Sequence, residues 1–257
     1  MDTDMEPHKT TLLILKTNTY KLFSMKKLFT LLAVTIAFTV NAQTNTNTGT
    51  ESLNSNTTGY WNSAFGYQSL KSNTEGRGNS AFGHKSLTSN TTGEYNTAIG
   101  DLALEGNTEG EHNIAVGYGV LKNNTTGTGI TAIGNRSMET NTTSNSHTAV
   151  GYQALRSNSS GNYNTAVGYQ ALSANNSGSR NTATGTWAIR NNTSGKDITA
   201  TGYNALRLNT TGNYNTADGS MSLYSNLTGS FNTAFGYNSL YVNTTGANNT
   251  AIGYNAN

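Results

Sequence analysis

A glycine recurs every 17 residues, at 66, 83, 100, 117, 134, 151, 168, 185, 202, 219, 236 and 253, with no insertion or deletion. These twelve copies constrain the fold more than any other property of the chain. A unit this short cannot bury an apolar face alone, so it must stack on its neighbours as a solenoid. The fullest copy reads Asn164-Thr165-Ala166-Val167-Gly168-Tyr169-Gln170-Ala171-Leu172. Each copy is numbered here from its glycine as position zero. Position −2 is alanine in all twelve, as at Ala98 before Gly100 and Ala166 before Gly168. Position +4 is Leu, Ile or Met in eleven, Leu172 among them. Position +7 is asparagine in all eleven copies that reach it, including Asn158 and Asn209. Position +10 is glycine in ten of those eleven, as at Gly212, with Ser144 the exception.

Thr-Ala-Val-Gly-Tyr predicts a short strand. Alternation puts alanine and glycine on one face, and threonine, the variable −1 residue and tyrosine on the other. Recurrent Gly, Asn and Thr argue against a helix. Asn-Thr-Thr-Gly, as at 124–127 and 209–212, predicts a type I turn. One period is then one coil, and twelve coils stacked at about 4.8 Å make a parallel β-solenoid roughly 55–60 Å long. The +7 column is expected to be an asparagine ladder. Each coil buries one leucine and two small residues, with the −1 side chain as a further candidate. That core is thin, because a buried leucine contributes about 1.5–3 kcal/mol while ordering backbone costs roughly 1–2 kcal/mol per residue. A further face buried against identical chains would relieve the deficit.

The start of the chain reads as an export signal. Met25-Lys26-Lys27 is a basic start, Leu28 to Val40 is apolar, and Val40-Asn41-Ala42 has the small-residue spacing of a signal-peptidase site. The expected organisation is an upstream extension at 1–24, a signal peptide at 25–42, a lead-in at 43–55 and the roll at 56–257. Export through the general secretory pathway to the cell surface, outer membrane or exterior follows. Residues 1–42 hold five Lys/Arg and three Asp/Glu of the chain's 15 and 13, so ten of each remain and the mature charge is zero. No basic stripe points to nucleic acid. The 13-residue apolar run is too short for a membrane span. There is no cysteine.

The unit Asn-Thr-Ala-Val-Gly-Tyr-Gln-Ala-Leu resembles the head repeat of trimeric autotransporter adhesins (the YadA-like head) across residues 56–257. The strand motif carries over onto Ser80-Ala81-Phe82-Gly83 and its equivalents at 97–100, 148–151, 165–168 and 250–253. The resemblance implies a left-handed parallel β-roll, a homotrimer, and a head that binds a host protein, matrix or glycan. The family's usual repeat is shorter than 17, and the extra residues are expected in the Asn-Thr-Thr-Gly turn. That family also carries a stalk and a membrane-anchoring barrel; the roll here runs into a truncated thirteenth unit, and autotransport by this chain is not expected.

Catalytic chemistry is not indicated. His84, His112 and His147 fall at +1, +12 and −4, in different columns and without metal-ligand spacing. No serine sits in a nucleophile elbow. Glu94 and Glu111 share column +11 near Glu109 and Arg77, which reads as a solvated, partly compensated surface. No catalytic residue, cofactor or metal is expected. Aromatics carry the functional lead: Tyr152, Tyr169, Tyr203, Tyr237 and Tyr254 at +1, and Tyr224 and Tyr241 at +5, form rows suited to carbohydrate or protein contacts. The leading expectation is a secreted or surface structural and adhesive module. An ice- or crystal-binding solenoid is the alternative, through the −3 column of Thr97, Thr148, Thr165, Thr182, Thr199, Thr216, Thr233 and Thr250. The uneven −1 column beside it weakens that match. A ligand-free segment of a phage-like fibre is the third. Column +5 also runs Glu105, Lys122, Glu139, Arg156, which predicts one charged row if coils stack in register.

Overall fold

The computed structural model describes residues 44–257, so the expectations for 1–24 and for the signal at 25–42 lie outside the described residues. Asn45–Asn257 forms thirteen three-residue strands, from β1 (Thr46–Thr48) and β2 (Ser63–Phe65) to β13 (Thr250–Ile252). Among the described residues there is no helix, and hence none long and apolar enough to cross a membrane. The strands form one parallel sheet in strict chain order. Each pairs with the next at a displacement of one period, as in Thr165↔Thr182, Ala166↔Ala183 and Val167↔Thr184. This is the all-β, short-period solenoid that the spacing predicts. The sheet starts one coil before the first Ala-x-Gly unit. β1 lies within the expected lead-in 43–55 and pairs with β2, although Asn47 holds the alanine position.

The strands are short because the coil must turn at once. The zero glycine has φ between 117° and 138° in every coil, a region that excludes side chains. It also lies against the next coil: a Cβ on Gly168 would stand 2.5 Å from the carbonyl oxygen of Gly185. Beyond it the chain passes through the left-handed region at +2 and +4, and again at +12. Gln170 has φ 53°, Leu172 50° and Arg180 57°. The buried +4 residues, Leu53 to Leu240, all have φ between 48° and 52°. A left-handed leucine is unfavourable by about 1–2 kcal/mol. Full burial of Leu172 and its coil-to-coil bond, N–H to the Ala188 carbonyl at 3.0 Å, offset that.

The interior is half polar. Alanine at −2, Ala, Ser or Val at +3 and leucine at +4 form the apolar part. The expected +7 ladder is present: Asn175 Nδ2 donates to Asn158 Oδ1 at 2.8 Å, and Asn192 Nδ2 to Asn175 Oδ1 at 2.7 Å. A second ladder runs along −4, where Asn79 Oδ1 accepts the Asn96 backbone N–H at 3.0 Å. The two ladders converge on the +10 carbonyl. Gly93 O accepts from Asn90 Nδ2 at 3.0 Å and from Asn79 Nδ2 at 2.8 Å. A buried carbonyl with two lone pairs is thereby saturated. The turn expected at Asn-Thr-Thr-Gly is consequently closed by the asparagine side chain. Its backbone amides point to the next coil, with Thr91, Thr92 and Gly93 N–H all directed at Thr108 O.

Candidate functional site

The strand alternation resolves the −1 position. Ala at −2 is buried on every strand from β2 to β13, while −3 and −1 face outward. The −1 residue therefore adds nothing to the core, contrary to the expectation that made it a further core candidate. The +3 residue takes that place, because the chain turns back inward after the +2 left-handed residue. On the outer sheet face, Phe65, Phe82, Ile99, Val116, Ile133, Val150 and Val167 follow one another in seven consecutive coils. The Phe65 and Phe82 rings stack at 4.9 Å. The row then turns polar at Thr184, Thr201 and Asp218 before Phe235 and Ile252, which are 56% and 72% exposed. Threonine occupies both −3 and −1 only on β1, β9 (Thr182–Thr184) and β10 (Thr199–Thr201), which is too few coils for an extended lattice-matching face.

The candidate tyrosines separate into groups. Tyr152 stacks on Tyr169 at 5.2 Å, and Trp187 continues the row to Tyr203 through centroid distances of 6.0 and 5.7 Å. Tyr237 pairs with Tyr254 at 5.4 Å. Tyr224 and Tyr241, at +5, stack at 5.1 Å and are only half exposed. Arg207 bridges the rows, its guanidinium 5.0 Å from the Trp187 ring and 5.9 Å from Tyr224. The Tyr152–Tyr169, Tyr224–Tyr241 and Tyr237–Tyr254 pairs lie within 13° of parallel and cover the faces between them, whereas Trp187 meets Tyr169 at 79° and Tyr203 at 50°, so these rows brace the coils and leave uncovered faces only at their ends and beside Trp187. Tyr67 and Tyr118 belong to the same +1 column and are equally exposed. The column register alone identifies them.

The charged row forms as predicted. Lys122 lies 3.6 Å from Glu105, and Arg156 Nε donates to Glu139 at 2.9 Å, with Arg136 3.8 Å from the same carboxylate. At +11, Arg77 Nε donates to Glu94 at 2.8 Å and its Nη1 to the Tyr60 hydroxyl at 2.6 Å, which raises the Arg77 pKa further. His84 pairs with Asp101 at 2.6 Å, and His112 stacks on Tyr95 at 5.2 Å. Among the described residues no group of three potential metal ligands occurs.

His147 is one of three departures from asparagine at −4 and, unlike Ile130 and Ile198, a polar one. It replaces asparagine in the −4 ladder, and the one +10 serine, Ser144, lies beside it. His147 Nε2 is 3.0 Å from Ser144 Oγ, and Nδ1 accepts the Asn164 backbone N–H at 3.2 Å. That places the proton of the neutral ring on Nε2. Ser144 Oγ in turn donates to Asn141 Oδ1 and accepts from Asn158 Nδ2 at 2.7 Å. Burial pushes the imidazole pKa down to about 4. Ser144 and His147 resemble a nucleophile–base pair in atom types only, since both are buried in the rod and out of reach of substrate.

The chain matches no protein-family model, no curated protein and no solved structure.

Proposed function

We propose that this chain is a secreted or cell-surface structural and adhesive module whose sheet face packs against identical copies, as a homotrimer, and whose remaining corners are displayed for binding. The observation that carries the reading is the unpartnered −1 row. Six coil steps from Phe65 to Val167 span about 29 Å, and the face is about 13 Å wide from −3 to +1, roughly 380 Å² in which an apolar −1 row is flanked by the mostly Ser/Thr −3 column. The whole sheet offers about 750 Å², near the roughly 800 Å² per partner of a stable interface. An identical rod has the same pitch and can follow the row along its length, which an aperiodic partner cannot. The polar break orients the copies. In parallel register Asp218 meets its own copies beside Thr201 and needs water or a cation between the carboxylates, whereas an antiparallel arrangement sets it against Phe82 or Ile99 and buries a carboxylate among hydrocarbon. The threefold stoichiometry and the adhesive role rest on the resemblance to trimeric adhesin heads.

Light scattering tests the reading. Residues 43–257, the mature chain expected from the sequence, should run at about three times the mass of one chain. Ile133→Asp should dissociate it while leaving the coil folded, because Asp218 already occupies that column. A wild-type monomer at all concentrations would sink the proposal.

A further inference from the structure

One corner of the rod gathers polar groups that no protein atom satisfies. Ser177, Ser194, Lys196, Thr211, Asn213 and Tyr214 line an open groove of about 590 Å³. The three hydroxyl residues occupy +9 in successive coils, so they rise in a row at about 4.8 Å per step. Their backbone amides are spent on the next coil, Ser177 N–H on Thr193 O at 3.0 Å and Ser194 N–H on Thr210 O at 3.2 Å. Asn213 Oδ1 is likewise spent on the Lys196 amide at 2.8 Å, which leaves its Nδ2 free. Among the described residues, neither the three hydroxyls, nor Asn213 Nδ2, nor the Tyr214 hydroxyl has a protein partner.

Charge and ring geometry distinguish this corner from the others. Column +11 holds two cations, Arg77 and Lys196. Arg77 is engaged by Glu94, whereas Lys196 makes no ion pair among the described residues. Its neighbour Asp197 is held by Arg180, with Nε at 2.6 Å and Nη2 at 2.8 Å, and that grip lowers the carboxyl pKa. Two cations against one carboxylate leave the corner with an excess positive charge. Tyr214 ends an aromatic stack. Phe231 covers one face at 4.9 Å and 12°, and the preceding coil carries Asp197 in that column, so the other face has no ring on it. The ring is 53% exposed. Tyr152 and Tyr237, which follow Asn135 and Ser220, present similar end-of-stack faces, but only Tyr214 does so beside Lys196 and the +9 hydroxyls.

We propose that this groove binds a carboxylate-bearing saccharide, of uronate or sialate type, lying along the rod axis. The assignment rests on the adhesive reading above and names its ligand class. Lys196 meets the sugar carboxylate, Tyr214 receives the C–H face of a pyranose, and the +9 hydroxyls with Asn213 Nδ2 pair with ring hydroxyls. A sugar hydroxyl both donates and accepts, as do the serine and threonine hydroxyls facing it. The groove lies within the roughly 300–1,000 Å³ typical of small-ligand sites.

Titration calorimetry on the full chain with trigalacturonate tests this, with neutral maltotriose and hexaglutamate as comparison probes. Trigalacturonate should bind and the other two should bind at least about tenfold more weakly. Lys196→Gln should weaken trigalacturonate about fivefold, the upper range for an exposed charge pair, and remove most of the salt dependence. Tyr214→Ser should weaken it without altering the salt dependence. Lys85→Gln changes net charge equally at a lysine that makes no ion pair among the described residues and lies outside the groove, and should leave binding unchanged. No trigalacturonate binding, equal binding of maltotriose, or equal damage from Lys85→Gln overturns the site. Tighter binding of hexaglutamate overturns the saccharide assignment. Light scattering of the same samples separates the two proposals. An intact assembly that ignores trigalacturonate sinks only the groove, and a monomer that binds it sinks only the assembly.

Discussion

Acid should weaken this rod at one identifiable coil. His147 is buried, and its partners Ser144, Asn158 and Asn164 carry no charge that could stabilise an imidazolium. Protonation would also place a hydrogen on Nδ1, facing the Asn164 N–H that it now accepts. The folded pKa is about 4, below the ordinary 6.5, so the unfolded chain binds the proton first. Stability from this group is therefore fully present above pH 6.5 and is lost as pH falls towards 4. The difference between 6.5 and about 4 corresponds to about 3 kcal/mol, of which about 2.5 kcal/mol is lost by pH 4.5. Carboxylates such as Asp197, whose pKa is lowered by Arg180, also lose stability on acidification, so a control is needed. His147→Asn restores the ladder residue and removes only the imidazole contribution. Urea midpoints at pH 7 and 4.5 should fall further for wild type than for His147→Asn, by about 2 kcal/mol once converted with the measured slope. The Asn164 amide should lose hydrogen-exchange protection in acid only when His147 is present. Identical pH dependence of the two proteins would refute the reasoning.

Four further outcomes follow from the coil geometry. Gly168→Ala should lower stability by at least about 2–3 kcal/mol in thermal melts, because its Cβ would press on the Gly185 carbonyl at a φ of 138°. Gly119→Ala, with φ 61° and nothing nearer than 3.9 Å, should cost only about 1 kcal/mol. Asn175→Ala removes two donated bonds of 2.8 Å and one accepted at 2.7 Å, and should cost about 2–4 kcal/mol by urea denaturation. Ile189→Leu should leave stability unchanged or raise it by up to about 1 kcal/mol, since a β-branched residue at φ 48° is the least comfortable occupant of the +4 column.

Much of the surface was legible before any coordinate. A displacement of 17 places Lys122 over Glu105 and Arg156 over Glu139, and two-residue alternation puts Ala166 inside and Thr165 outside. The groove was not legible. Lys196, Asn213 and Tyr214 sit in columns that elsewhere hold unrelated residues, and only a missing partner singles them out. The paired departures Ser144 and His147 were visible as exceptions. That they answer each other depends on −4 and +10 converging inside the coil.

The amino-acid sequence by itself determined what stacks on what. In a strict repeat each residue lies over its own copy, so the parallel sheet, the +7 asparagine ladder and the charged row all follow from the period. Only the tertiary structure decided the path within one coil. It set the buried leucines at φ near 50°, opened the −4 ladder beside the +10 carbonyl and recruited β1. The physical reason is closure. Seventeen residues must return to their starting point one strand spacing higher, and the turns that accomplish this are chosen by the whole ring of backbone bonds and packing at once.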